Sequence, residues 1–356
     1  MSKLIINGRF LSQRLTGVHR YAYEMTRALH RAGVPLVVVA PRQIQPSYEL
    51  AFPVEQTGRT ASHWWEQVEL PRYVQKHHPG ATILSFTGLG PIGYSRSVMT
   101  IHDLSFLANP RWFSLPYYCF YRLMTPLAAR RAKLIITVSR FSQQQIIQRL
   151  HVPAGKIVVA YNAVSDEVLQ ASPKALAEPL HEPYLLTVSS LDPRKNLKRL
   201  IKAFRQVRVP EVWLYVVGAA HPSFRSTGID TAAYERIVFL GYKDDAHLKY
   251  LYQHACAIVY PSLFEGFGLP NIEAFAQGCP VLTSDIPPHR EVCGEAALYC
   301  NPTDTADMTR QMERLLNDSA LCAQLKQAGT QQLKRYSWTL SAQKIVTSLQ
   351  QTHLIE

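Results

Sequence analysis

A chain of 356 residues, 47% of them apolar, is too long for one ordinary domain and too rich in core-forming side chains to be disordered. It holds no apolar run of about 18 residues that would suggest a membrane-spanning helix, and its start lacks the long apolar segment and cleavage site of a secretion signal. Net charge is +12 and lopsided: residues 1–175 carry 20 Lys and Arg against 8 Asp and Glu, whereas residues 176–356 carry 18 of each. A basic first half suits an anionic partner, whether nucleic acid, phospholipid head groups or a phosphorylated acceptor. The six cysteines show no CxxC or His-spaced pattern and read as buried thiols of a reducing cytoplasm.

In chain order, short β-branched apolar runs alternate with stretches of helical period. The first half reads as strand 3–7, loop 8–17 and an amphipathic helix 18–32 with Thr16 as candidate N-cap. Strand 36–39, helix 62–78 and strands 82–85 and 97–101 follow, the last ending at His102-Asp103. Helix 117–132, strand 133–139, helix 141–150 and strand 157–160 complete the half. Residues 165–182 carry prolines and no strong period, which marks a linker and gives domains at 1–170 and 171–356. The alternation then restarts with strand 184–189, helix 197–208, strands 213–217 and 237–240, helix 246–254 and strand 257–260. Strand 280–284, a short helix 288–292 and strand 297–300 lead into helices that run to the end. Two such halves predict an α/β protein of two doubly wound, Rossmann-like domains with parallel sheets and a cleft between them. The last helix is a candidate to return to the first domain.

The chemistry concentrates in residues 255–280, ACAIVYPSLFEGFGLPNIEAFAQGCP. A buried strand ends at Pro261-Ser262, a turn follows at Glu265-Gly266-Phe267-Gly268, and Leu269-Pro270 opens a helix with proline in its first turn. Glu265 falls on the loop and Glu273, with seven residues between, is expected in the first turn of the helix. The Gly266-Phe267-Gly268-Leu269 backbone can approach a ligand without a side chain in the way. Its amides and the helix N-terminus favour an anion. Arg194 and Lys195 follow a strand end and precede a helix, where two cations could neutralise a diphosphate; the alternative is solvated surface charge.

These segments resemble retaining GT-B glycosyltransferases of the large family 4, or group 1, type. The motifs agree in order: Thr16-Gly17-Val18, His102-Asp103, Val138-Ser139, Asn162-Ala163-Val164, Leu191-Asp192-Pro193-Arg194-Lys195-Asn196 and the E-x7-E segment. The resemblance spans essentially the whole chain, best in its second half, and is mannosyltransferase-like. It implies a nucleotide-sugar donor, weakly GDP-mannose, with Glu273 holding the ribose diol and Glu265 meeting the sugar's hydroxyls. It places His102 near the sugar and acceptor as the catalytic candidate of the first domain, with Asp103 orienting His102 or the acceptor hydroxyl. Gly17 is expected to approach the diphosphate. Ser139 and Asn162 line the cleft or act as caps. Many relatives carry an arginine where Ser189-Ser190 stand here, so Arg194 is a candidate substitute. No Asp-x-Asp triad occurs, so no metal or other cofactor is expected. The resemblance further implies retention of configuration by front-face attack.

Between residues 109 and 133, aromatics interleave with arginines, a pattern that suits either a membrane interface or an acceptor pocket and core. His63-Trp64-Trp65 could add to it. The expected activity is therefore hexosyl transfer to a polyprenyl-diphosphate-linked glycan of O-antigen, capsule or exopolysaccharide, at the anionic inner face of the membrane. Nucleic acid ranks far below as a partner because no binding motif accompanies the charge. The alternative is a non-catalytic nucleotide-sugar or glycan-binding protein on the same fold. A dehydrogenase is disfavoured because no GxGxxG follows the first strand.

Overall fold

The structure, a computed structural model, describes residues 3–13, 16–46, 48–219, 224, 228–229 and 234–356. The chain divides into two compact units: residues 1–104, 119–162 and 337–356 form the first, residues 105–118 and 163–336 the second.

The first unit is built on seven strands: β1 (Leu4–Asn7), β2 (Leu36–Ala40), β3 (Val54–Gln56), β4 (Thr82–Ser85), β5 (Ser97–Thr100), β6 (Leu134–Thr137) and β7 (Ile157–Val159). Their order is β3-β2-β1-β4-β5-β6-β7, parallel throughout. A parallel sheet is covered on both faces, which is why β1 reads LIIN with every residue buried. On one face Trp65, Leu70 and Val74 pack against Ile5, Val39 and Ile83. The helix Gly17–Arg31 packs against the final helix Trp338–Gln351, with the Tyr21 and Trp338 rings edge to face at 5.6 Å.

The second unit holds β8 (Tyr184–Val188), β9 (Trp213–Val217), β10 (Ile237–Gly241), β11 (Ala257–Tyr260), β12 (Val281–Ser284) and β13 (Leu298–Cys300). Their order is β10-β9-β8-β11-β12-β13, again parallel. Leu185, Leu214, Val259 and Leu282 of the strands pack with Leu200 and Phe204 of one helix and Met308 and Met312 of another. Each such side chain, fully buried, contributes about 1.5–3 kcal/mol.

Both sheets reverse direction at an inner strand, between β1 and β4 in the first and between β8 and β11 in the second. The loops leaving the carboxyl ends of such a strand pair diverge to opposite sides, and the gap between them is where doubly wound folds bind ligands.

The units part at residues 162 and 163 rather than at the expected 170 and 171. The cause is a short helix, Asp166–Gln170, capped by Ser165, which packs on the helix Asp245–His254 of the second unit. Lys249 Nζ donates to Leu169 O at 2.6 Å. Residues 105–118 also group with the second unit, because Phe113 pairs with Phe224 in a β-bridge and Trp112 lies near Phe264.

Candidate active site

The second sheet's reversal point gathers the charged residues. After β8 the chain makes a 3-10 turn, Pro193–Lys195, whose start is fixed by Asp192: its carboxylate accepts from Arg194 N at 3.0 Å and from Ser190 Oγ at 2.6 Å. Asn196 ends the turn in the left-handed region at φ 63°, a conformation that asparagine tolerates better than most residues. Its Nδ2 donates to Pro261 O at 3.0 Å and Pro302 O at 2.7 Å. Leu263 N donates to Arg194 O at 2.8 Å. The Arg194-Lys195 turn is thereby tied to the loop that follows β11.

That tie brings residues 70 positions apart into contact. Lys195 Nζ donates to Glu265 Oε1 at 2.6 Å and to the Tyr260 hydroxyl at 2.7 Å, and Tyr260 in turn donates to Glu265 Oε1 at 2.8 Å. Arg194 Nη1 reaches Glu265 Oε2 at 3.3 Å. All four side chains are almost wholly buried, so these are not solvated surface charges. Burial alone would push the Glu265 pKa up, but the Lys195 and Arg194 cations overcome it and hold the carboxyl well below the usual carboxylate range.

Beyond Glu265 the chain turns into the helix Leu269–Ala276 through Gly268. Gly268 has φ +93°, and a Cβ there would lie 2.9 Å from the His289 ring and 3.0 Å from Asn271 Nδ2. Conformation and space both demand glycine. His289 is fully buried. Burial lowers its pKa to about 4 despite the nearby Glu265 charge, so the ring is neutral at pH 7. Thr283 Oγ1 donates to Tyr260 O at 3.1 Å and meets His289 Nδ1 at 2.7 Å. The hydroxyl proton being committed to Tyr260, Nδ1 carries the ring proton and Nε2 is a bare acceptor. The Phe267 side chain turns inward against Tyr336, which leaves only its backbone for a ligand.

Glu273 is the fifth residue of its helix, which opens at Leu269 as expected, so it stands at the start of the second turn rather than in the first. The buried Tyr252 donates to Glu273 Oε2 at 3.0 Å. Burial, reinforced by the Glu273 charge, keeps this phenol protonated.

In the first unit, His102 follows β5. Its Nε2 donates to Phe86 O at 2.9 Å, which makes Nδ1 the acceptor nitrogen. Tyr21 packs edge to face on the ring at 5.0 Å. Burial lowers the His102 pKa, with the Phe86 carbonyl and Asp103 opposing. The ring is thus oriented by a backbone carbonyl rather than by the Asp103 carboxylate alone. Ser139 caps the helix Arg140–Leu150 by accepting from Ser142 N at 2.9 Å. Thr16 is the residue before the helix Gly17–Arg31 but makes no side-chain cap; its Oγ1 lies 2.9 Å from His19 Nδ1. Gly17 opens that helix, and among the described residues nothing lies within 4 Å of its Cβ position. Among the described residues no group of three or more His, Cys, Asp or Glu side chains could hold a metal ion.

Residues 15–168 match the profile of glycosyltransferase family 4 and residues 170–332 that of glycosyl transferases group 1. O-antigen chain mannosyltransferase B of Escherichia coli is 30% identical over 274 residues, 72% of each chain. The chain belongs to the group 1, family 4 glycosyltransferases. This glycosyltransferase is also 34% identical over 209 residues to the O-antigen chain mannosyltransferase RfbU of Salmonella typhimurium, matching 58% of its own length and 57% of that relative's. Among solved structures, sucrose-phosphate synthase from Thermosynechococcus elongatus superposes with a TM-score of 0.76 at 20% identity, covering 99% of both chains. HepE of Anabaena, solved in complex with UDP, superposes with a TM-score of 0.73 at 19% identity, covering 99% of this chain and 100% of that one. The fold of the glycosyltransferase is therefore GT-B, two parallel-sheet Rossmann-like units.

Glu265, Glu273, Arg194 and Lys195 stand out in the sequence and Asn196 lies within the motif at residues 191–196, whereas Tyr260, Tyr252 and His289 carry no sequence signal. The tyrosines sit in an apolar strand and an amphipathic helix, where core packing is the default expectation.

Proposed function

We propose that this glycosyltransferase moves a mannosyl residue from GDP-mannose to a lipid-linked glycan in O-antigen or a similar polysaccharide, with retention of configuration. The observation that carries the reading is the knot of Lys195, Arg194 and Glu265 at the second sheet's reversal point, with a helix N-terminus and Glu273 beside it. A nucleoside diphosphate sugar needs cations for its phosphates, acceptors for its ribose diol and a carboxylate for its hexose, and this constellation supplies each. The identity of the hexose draws on the two O-antigen mannosyltransferase relatives, and the nucleotide class on the UDP complex of HepE.

On donor binding, Lys195 and Arg194 exchange Glu265 for the diphosphate, and the freed carboxylate accepts from hydroxyls of the sugar. Glu273, steadied by Tyr252, accepts from the ribose. The bond from the sugar C1 to the phosphate oxygen breaks as a bond from the acceptor oxygen forms on the same face. The acceptor's proton passes to the departing phosphate. Charge builds on that phosphate in the transition state, where two desolvated cations stabilise it more than they do the ground state. No metal takes part in this scheme. His102, neutral with Nδ1 as acceptor, receives a hydroxyl from the sugar or acceptor, and Asp103 completes that edge. Gly17 is assigned to the donor diphosphate in this scheme; among the described residues nothing lies within 4 Å of its Cβ position, so packing there does not call for glycine.

The protein works in the cytoplasm against the inner membrane face. No helix among the described residues is long and apolar enough to cross a membrane, and the helix Leu115–Arg131 exposes Leu115, Leu123 and Leu127 beside Arg122, Arg130 and Arg131. Leucines flanked by cations suit the boundary between head groups and acyl chains.

The test is mass-detected transfer from a panel of nucleotide sugars to polyprenyl-diphosphate-linked acceptors. GDP-mannose should give the highest kcat/KM, and an α-mannoside product would show retention. Turnover of another nucleotide sugar alone would overturn the donor, and a β-linked product would overturn the stereochemistry.

A further inference from the structure

A second polar cluster lies in the first unit, at the reversal point between β1 and β4, and none of the residues assigned above to donor binding or catalysis belongs to it. Asn7 at the end of β1 donates to Glu66 Oε1 at 2.9 Å and to Ser85 Oγ, at the end of β4, at 3.0 Å. Gly90 N donates to the same Glu66 oxygen at 3.3 Å. Gly88 must be glycine: its φ is +73°, and a Cβ would fall 2.6 Å from Glu66 Oε1. Glu66 itself is fully buried and sits on a π-helical turn, Trp65–Glu69, a local distortion found often at functional sites. A buried carboxylate with a loop wrapped round it is costly unless it holds something in place.

What it holds is Arg9. The guanidinium donates through Nε to Ala61 O at 3.1 Å and directs Nη1 at Glu66 Oε2, 3.5 Å away, and at His63 Nδ1, 3.3 Å away. Because Arg9 can only donate, His63 Nδ1 is the acceptor nitrogen and its Nε2–H is free to donate elsewhere. The His63 ring lies 4.9 Å from Phe120 and 6.3 Å from Tyr121, and both His63 and Phe120 are more than a third exposed. The cluster also shares a sheet edge with His102, whose hydrogen-bond partner Phe86 directly follows Ser85.

We propose that Arg9, His63 and Phe120 form a sugar subsite for the terminal pyranose of the acceptor glycan, with Glu66 as the residue that positions Arg9. This assignment rests on the glycosyl-transfer reading for the identity of its ligand. The Phe120 ring beside the His63 Nε2–H, with the anchored Arg9 guanidinium fixing that imidazole, matches the apolar face and ring oxygens of a pyranose. The Arg9 charge is offset by Glu66, so the subsite is electrically balanced and takes a neutral sugar in preference to a phosphate.

The experiment titrates the full chain, without nucleotide, with methyl α-D-mannopyranoside by saturation-transfer NMR, and separately with inorganic phosphate and with GDP. Wild type should bind the pyranoside, and Phe120→Ala and Arg9→Gln should each weaken it by about fivefold to tenfold, with GDP affinity unchanged in both. Phe120 is on the surface and outside the Glu66 network, so its variant stays informative if Arg9→Gln unfolds. Absence of a pyranoside signal in wild type, equal affinity across the variants, or displacement of the pyranoside by phosphate would each overturn the proposal. A wild type that binds the pyranoside but no nucleotide would instead undermine the donor assignment of the second unit and leave this subsite supported.

Discussion

Lys195 Nζ lies 2.6 Å from Glu265 Oε1, so the cation best placed to meet a diphosphate is neutralised, in the free protein, by the carboxylate proposed for the sugar. The pair is buried and shares Tyr260, which fixes its geometry before any donor arrives. Glu265→Gln should therefore separate binding from chemistry. With the Lys195 cation released from its carboxylate, the variant would bind GDP as tightly as wild type or several-fold more tightly, while mannosyl transfer falls by at least about 10²-fold. The same variant should lose about 3 kcal/mol of stability, because Lys195 is left buried without its carboxylate partner, while Arg194 keeps Asp192 at 3.8 Å. Calorimetric GDP titration, transfer assays and urea unfolding read the three quantities; weakened GDP binding would contradict the charge exchange.

Tyr252 and Glu273 form a second pair, and here the tyrosine acts only through the carboxylate. A hydrogen bond from a buried phenol to a charged acceptor contributes about 1.5–3 kcal/mol. Tyr252→Phe should raise the donor KM by about tenfold with kcat nearly unchanged. A merely structural tyrosine would lower kcat as well. The distinguishing readout is a 2′-deoxyribose donor analogue, which wild type should use poorly and Tyr252→Phe should discriminate against much less.

Stability should fall in mild acid, and His289 sets the direction. In the unfolded chain a histidine protonates near pH 6.5, whereas His289 in the folded protein does so only near pH 4. Between those values the unfolded state binds the extra proton, so stability is fully present above pH 6.5 and declines as pH falls toward 4. His102, also held below the ordinary histidine value, adds in the same sense. Glu265 works in a lower window: its depressed pKa gives stability that is present above the usual carboxylate range and lost as pH drops beneath it. Urea unfolding at pH 7 and pH 5 should differ by about 2 kcal/mol from His289 alone. His289→Gln should flatten that slope; an unchanged slope in the variant would remove His289 as its source.

The alternation of strand and helix was legible because a parallel sheet buried on both faces writes itself as short β-branched runs, such as Leu36–Ala40. The edge strand Val54–Gln56 escaped because it is half exposed and carries a single apolar residue, Val54. The site was legible as chemistry and not as geometry. The E-x7-E spacing marks Glu265 and Glu273, but the contact between Lys195 and Glu265 arises from the pairing of β8 with β11 and from the Asn196 tie, neither of which leaves a local pattern. Asn7 and Glu66 are 59 residues apart and meet because the π-helical turn Trp65–Glu69 packs on the sheet beside β1. Trp64 and Trp65, adjacent and alike in sequence, go separate ways: Trp64 is exposed and Trp65 is packed in the core.

The helix Leu115–Arg131 carries the last expectation, and the structure changes which residues bear it. The sequence drew attention to its aromatics, yet Tyr117, Tyr118 and Tyr121 are half-buried, while Leu115 is 64%, Leu123 73% and Leu127 42% exposed. These leucines fall at multiples of four residues and so line one face of the helix. Exposed Arg122, Arg130 and Arg131 flank them. A leucine inserted in the acyl region contributes about 1.5–3 kcal/mol, and each arginine near an anionic surface about 1 kcal/mol. Leu123→Glu combined with Leu127→Glu should reduce co-sedimentation with phosphatidylglycerol-containing vesicles by at least about tenfold. Transfer to a water-soluble acceptor should be untouched. Wild-type binding should weaken as salt rises, since its cations are exposed and screened. Vesicle binding that survives the double variant would place the membrane contact elsewhere on the protein.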